Sequence, residues 1–145
     1  MGILMKRLLL LTLLLIQPLM TEAKSDDHIM VIINKSSDIE QLSKSQVKNI
    51  FMGTVSVDNI VPLGLPPGEV ARSIFNVRVI GLTESRIRSY WAQMRFSGRL
   101  KEPDNASGID DLIINIRSAS NTIGYVPENT PLPDDIKVVF RSSEQ

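Results

Sequence analysis

Apolar and polar positions along the chain fall into blocks with different periods. Residues 29–33, Ile-Met-Val-Ile-Ile, form an unbroken apolar run between His28 and Asn34. Such a run suits a strand buried on both faces. Val47, Ile50 and Phe51 then recur at helical spacing behind clear start signals. Ser43 and Gln46 have the spacing of a capping box, Leu42 and Val47 that of a hydrophobic staple, and Gly53 can supply a left-handed end. "IVPLGL" (60–65) predicts a short strand, weakened by Pro62 and Gly64 and so placed at a sheet edge. A helix over 69–80 follows, with Val70, Ile74 and Val77 as its inward stripe and Gly81 closing it. In the next helix Thr83 caps, Leu82 staples to Ile87, and Ile87, Tyr90, Trp91 and Met94 keep the i, i+3, i+4, i+7 pattern up to Gly98. A polar link (101–105) leads to a fourth helix, started by Ser107 and Asp110, with Ile109, Leu112, Ile113 and Ile116 facing inward. "TIGYV" and "IKVVF" predict two more strands. Strands alternating with capped helices predict an α/β domain whose mixed sheet has about four or five strands flanked by helices.

The first 23 residues follow another logic. Lys6 and Arg7 precede an apolar run, Leu8 to Ile16, interrupted only by Thr12 and ended by Pro18. Thr21 and Ala23 place small residues before a cut ahead of Lys24. This is the pattern of a secretory signal. The run is about half of the roughly 20 residues that a membrane anchor needs. The expectation is a signal peptide over 1–23, one domain over 24–145, and a periplasmic location in a bacterium.

Composition narrows the chemistry. The 145 residues carry 16 basic and 16 acidic side chains and no cysteine, which leaves neither disulfides nor thiolate metal sites. Charge is uneven: residues 72–101 hold seven basic groups and one acidic group. Arg72, Arg78, Arg86, Arg88, Arg95 and Arg99 lie in predicted helices, where solvated faces account for them. The only histidine, His28, stands near the proposed mature end, a poor place for the base beside a nucleophile. The Asp26-Asp27-His28 cluster reads as a fraying terminus. Asp110-Asp111 and Asp134-Asp135 read as a helix start and a loop. Neither an enzyme, a metal, a cofactor nor a nucleic-acid partner is expected.

What remains is recognition of an anion or a partner. "LPPGEVARSIF" (65–75) turns into a helix start, where free N–H groups and the helix dipole favour an anion. "VIINK", "LSKSQVKNIFMG", "PPGEVARSIFNVRVIG", "YWAQMRFSG" and "TIGYVP", in this order, resemble the phosphate-binding-protein-like family, relatives of the periplasmic receptors of phosphate ABC transporters. The resemblance runs from about Ile29 to Phe140. It implies one lobe of the periplasmic binding fold, where full receptors have two lobes around a cleft. It also implies a site of backbone amides, hydroxyls and an arginine at helix starts. Carried onto this sequence, the ligand-binding candidates are Asn34, Lys35 and Ser36 after the first strand, Gly68, Glu69 and Val70 at the helix start, and Arg72 one turn in.

The chain departs from the family pattern at that turn. The receptors carry a Gly-Ser-Gly-Thr-like segment with an arginine shortly before it. Here Glu69 and Val70 stand where hydroxyls are expected, and Leu63 and Leu65 precede them. Glu69 satisfies the dipole and repels a dianion, and Arg72 can pair with it across one turn. The resemblance implies an exported, non-catalytic solute-binding-like domain that takes phosphate or another small oxyanion. The alternative is a periplasmic interaction module on the same fold that has lost anion binding and holds a protein partner or a second copy.

Overall fold

Ile29–Asn34 becomes β1 and sits inside the sheet, which explains its unbroken apolar run. The computed structural model describes residues 27–55, 57 and 59–145; the expected signal over 1–23 lies outside them. In chain order follow α1 (Lys44–Phe51), β2 (Val61–Gly64), α2 (Val70–Phe75), α3 (Glu84–Phe96), β3 (Asp104–Asn105), α4 (Ile109–Ser118), β4 (Thr122–Pro127) and β5 (Ile136–Arg141). A π-helical stretch, Asn76–Ile80, continues α2. The strands form one five-stranded mixed sheet in the order β3-β2-β4-β1-β5. β2 runs parallel to β3 and β4, and β1 runs antiparallel to β4 and β5.

The helix starts follow the local signals. Ser43 caps α1 through the full capping box with Gln46, burying Val47, Ile50 and Phe51. Thr83 caps α3, which buries Ile87 and Trp91. α4 starts differently from expectation: the Asp111 carboxylate accepts the Ser107 N–H at 2.8 Å, and Gly108 takes the cap position with no side-chain cap. Leu112 and Ile116 of α4 are buried, and Leu112 lies so close to β4 that a Cβ on Gly124 would come within 2.9 Å of it.

Two expectations need correction. β2 is not an edge strand, because Leu63 and Gly64 pair with Asp104 and Asn105 of β3. β3 has only two residues, too short to leave any period in the polar link. The stripe Val70–Ile74–Val77 does not face inward as a whole either: Ile74 is half-buried against the core, but the two valines are not. Val70 is 71% and Val77 67% exposed, while Ala71, Arg72, Phe75, Asn76, Val79 and Ile80 are buried. The buried face contains two polar residues, so a search for apolar spacing settles on the neighbouring stripe. The π-helical stretch also changes the period at its end.

Candidate functional site

The turn after β2 presents a problem of backbone hydrogen bonding. Leu65 is fully buried, and Pro66 and Pro67, which follow it, bring no N–H groups. Side chains supply the partners: Leu65 N–H donates to the Tyr125 hydroxyl at 3.2 Å, and its carbonyl accepts from Arg72 Nη1 at 2.7 Å. Tyr125 is held by a face-to-face stack on Phe75, with centroids 3.9 Å apart, and by an edge contact with Phe51. Burial, the main cause, pushes the Tyr125 hydroxyl up to about 12.

Arg72 is the centre of this network. It is 8% exposed. Nε and Nη2 donate to the two carboxylate oxygens of Glu84 at 2.8 and 2.9 Å, and Asn76 Nδ2 donates to the same carboxylate at 2.8 Å. Nη1 also reaches Asn105 Oδ1 at 3.3 Å, a contact that requires Gly64, since a Cβ there would lie 2.6 Å from that oxygen. Burial works against the Arg72 charge, but the hydrogen bonds and charge of Glu84 outweigh it and raise its pKa. In return the Arg72 hydrogen bond, opposed by burial, holds the Glu84 carboxyl below the usual carboxylate range. A small cavity of about 40 Å³ adjoins the network, with Arg72, Asn76, Asn105 and Tyr125 in its lining.

The remaining candidates at this turn are Gly68, with φ of +97°, Glu69 and Val70. Glu69 takes the cap position of α2 but makes no side-chain cap hydrogen bond. Arg72 pairs with Glu84 rather than Glu69.

Asn34, Lys35 and Ser36 lie at the other end of the sheet. Ile33 and Pro62 both pair with Ile123, so Asn34 is level with the start of β2, whereas Gly68 follows its end. The antiparallel direction of β1 separates the two groups. Asn34 Nδ2 donates to the last carbonyls of α4, Ile116 and Arg117, at 3.2 and 3.1 Å, and its Oδ1 accepts from Ser36 N–H and Oγ–H. Lys35 donates from its backbone N–H to the Asp135 carbonyl and from Nζ to the Asp134 carbonyl. The Asp135 carboxylate beside them is paired with Arg117 at 2.8 Å.

The structure also forms a contact that sequence reasoning set aside. His28 Nδ1 lies 3.3 Å from Ser142 Oγ, which accepts Ile29 N–H at 2.9 Å. Glu128, a nearby acid, accepts from Arg141 Nη1 and Ser143 Oγ, both at Oε1. Among the described residues, no group of three or more His, Cys, Asp or Glu could hold a metal, and no helix is long and apolar enough to cross a membrane.

No family model and no curated protein matches the chain. Solved structures do. One is assigned as a phosphate ABC transporter substrate-binding protein with bound phosphate, from Clostridium perfringens. It superposes with a TM-score of 0.59 at 17% identity, over 77% of this chain and 43% of its own. An ABC-type phosphate transport receptor from Vibrio cholerae gives 0.58 at 10% identity, over 77% and 44%. The chain thus spans less than half the length of these neighbours. It has the α/β fold found in part of phosphate-type substrate-binding proteins.

Proposed function

We propose that the chain is an exported, non-catalytic lobe of substrate-binding-protein type that serves as a periplasmic interaction module and has given up a self-sufficient oxyanion site. One observation carries this reading. The arginine nearest the Gly68 turn makes four donor contacts inside the protein, two of them to a carboxylate that neutralises it. An oxyanion entering there would have to displace Glu84 or strand the buried Leu65 carbonyl, and leaving such a group unpaired costs about 1–3 kcal/mol. Glu69 adds a second carboxylate at the turn. The signal-like leader supports export.

A second reading, binding of phosphate or a related oxyanion at Gly68, Glu69 and Val70, is favoured by the uncapped start of α2. Thermal unfolding of the purified chain with millimolar phosphate, sulfate, molybdate and carboxylates separates the two. A ligand at a hundred times its Kd adds roughly 2.7 kcal/mol, a shift of several degrees in a domain of this size. Unchanged curves across the panel are expected. A shift selective for phosphate would overturn the interaction-module reading in favour of the binder.

A further inference from the structure

Among the described residues, nothing covers Val70 of α2 and Val77 of the π-helical stretch that continues it, and Ile74 between them is half-buried against the core. Val70 and Val77 are among the most exposed large hydrophobic side chains among the described residues. Ile74 and Val77, with Asp27, Ser73 and Arg78, line a shallow groove of about 250 Å³. The stripe is flanked by opposite charges, Glu69 before Val70 and Arg78 after Val77.

We propose that this stripe seats a second copy of the chain, with the two α2 helices antiparallel across a twofold axis between Ser73 and Ile74. Closed twofold interfaces of this kind are isologous and must be self-complementary. The order of residues meets that condition. About this axis Val70 faces the partner's Val77, Ile74 faces the partner's Ser73, and Glu69 faces the partner's Arg78. Both ends of the apolar seam are thus closed by opposite charges, and both apolar ends meet an apolar counterpart. A parallel pairing would instead set Glu69 against the partner's Glu69 and Arg78 against the partner's Arg78. The charges therefore select the antiparallel arrangement.

This inference rests on the interaction-module reading and gives its partner a chemistry. It also gives Glu69 a role. The residue that stands where phosphate receptors carry a hydroxyl becomes the acidic end of an interface, and the second copy comes to lie beside the Gly68 turn. The apolar seam is small against the roughly 1,200 Å² of stable interfaces, so a weak dimer with Kd on the order of 1–100 μM is expected.

Sedimentation equilibrium of the purified full chain, from low to several hundred micromolar, tests the proposal. Concentration-dependent dimerisation is expected. Val77→Glu should abolish it while leaving the circular dichroism unchanged, as suits an exposed position. Glu69→Arg and Arg78→Glu should each weaken the dimer about tenfold or more, and the double reversal should restore it. A monomer across the whole range would overturn the proposal, as would a dimer indifferent to Val77→Glu or a double reversal no better than the single changes. The oxyanion panel is a separate measurement. A monomer with unchanged melting curves would remove the second copy and keep the interaction module, whereas a selective phosphate shift would remove the module itself.

Discussion

Replacing Glu84 with Gln tests the network around Arg72 at nearly constant side-chain volume. The carboxylate takes two hydrogen bonds from Arg72 and one from Asn76, all between 2.8 and 2.9 Å. A carboxamide has one acceptor oxygen and one donor group, so an Arg72 N–H would meet another donor. Breaking a fully buried pair costs about 3–5 kcal/mol. Here the Arg72 side chain is 9% exposed and that of Glu84 34%. Water can replace part of the loss on the Glu84 side, and the expected cost is about 2 kcal/mol. For a domain of this size the thermal midpoint should fall by roughly 6–10 °C.

The pH dependence provides an independent signature. The folded-state pKa of Glu84 lies below its ordinary value of 4.5, chiefly through the Arg72 hydrogen bond. A depressed carboxyl contributes stability that is present above the unfolded value and lost as pH falls through the folded one. Glutamine cannot titrate. The gap in stability between wild type and variant should therefore be constant from neutral pH down to about 5 and narrow below that. Thermal melts followed by circular dichroism over a pH series measure both quantities. Equal midpoints at neutral pH would refute the assignment of Glu84 as the group that holds Arg72. So would a gap that persists undiminished into acid.

Three further changes probe the neighbouring parts of the lobe. Glu69→Ser with Val70→Thr supplies two hydroxyls but leaves Arg72 tied to Glu84 and Leu65, so the melting temperature should stay independent of phosphate, and a selective rise would refute the reading that a withheld Arg72 is what prevents binding. Tyr125→Phe leaves the buried Leu65 N–H without its acceptor and should cost about 1–2 kcal/mol at neutral pH. The same variant should lack the alkaline limb of the stability profile. A hydroxyl raised from 10.0 to about 12 keeps its full contribution below pH 10 and loses it as pH climbs toward 12. Gly124→Ala places a Cβ within 2.9–3.0 Å of three Leu112 side-chain carbons and should cost about 1–3 kcal/mol in denaturant titration, partly recovered by adding Leu112→Val.

What the sequence disclosed depended on how local the signal was. α1 could be read completely because its cap, staple and buried face lie within Leu42–Phe51, and each constrains the next. β1 was legible because a strand buried on both faces needs no partner to be recognised. The face of α2 was not, because its burial is decided by Glu84, twelve residues beyond Arg72. β3 left no trace, since two residues that complete a sheet have no period. The candidate site suffered from the same limit. Asn34–Ser36 and Gly68–Arg72 each follow a strand, and only the strand directions show that they lie at opposite ends of the sheet.

The arginines show why charge counts mislead about such a site. Of the six assigned to solvated helix faces, Arg78, Arg86, Arg88, Arg95 and Arg99 are exposed, and Arg72 is buried. The positive balance of the middle segment therefore includes one charge that is buried and paired with Glu84 rather than solvated. A receptor needs donors that are fixed in place yet uncommitted until the anion arrives. Arg72 is fixed in place, but its donors close the end of β2 through Leu65, tie in β3 through Asn105 and bind α3 through Glu84. The contacts that join these elements are the ones that withhold the cation from a ligand. Freeing Arg72 for an anion would loosen three joints of the lobe at once, so stability and oxyanion binding at this turn are opposed in this chain.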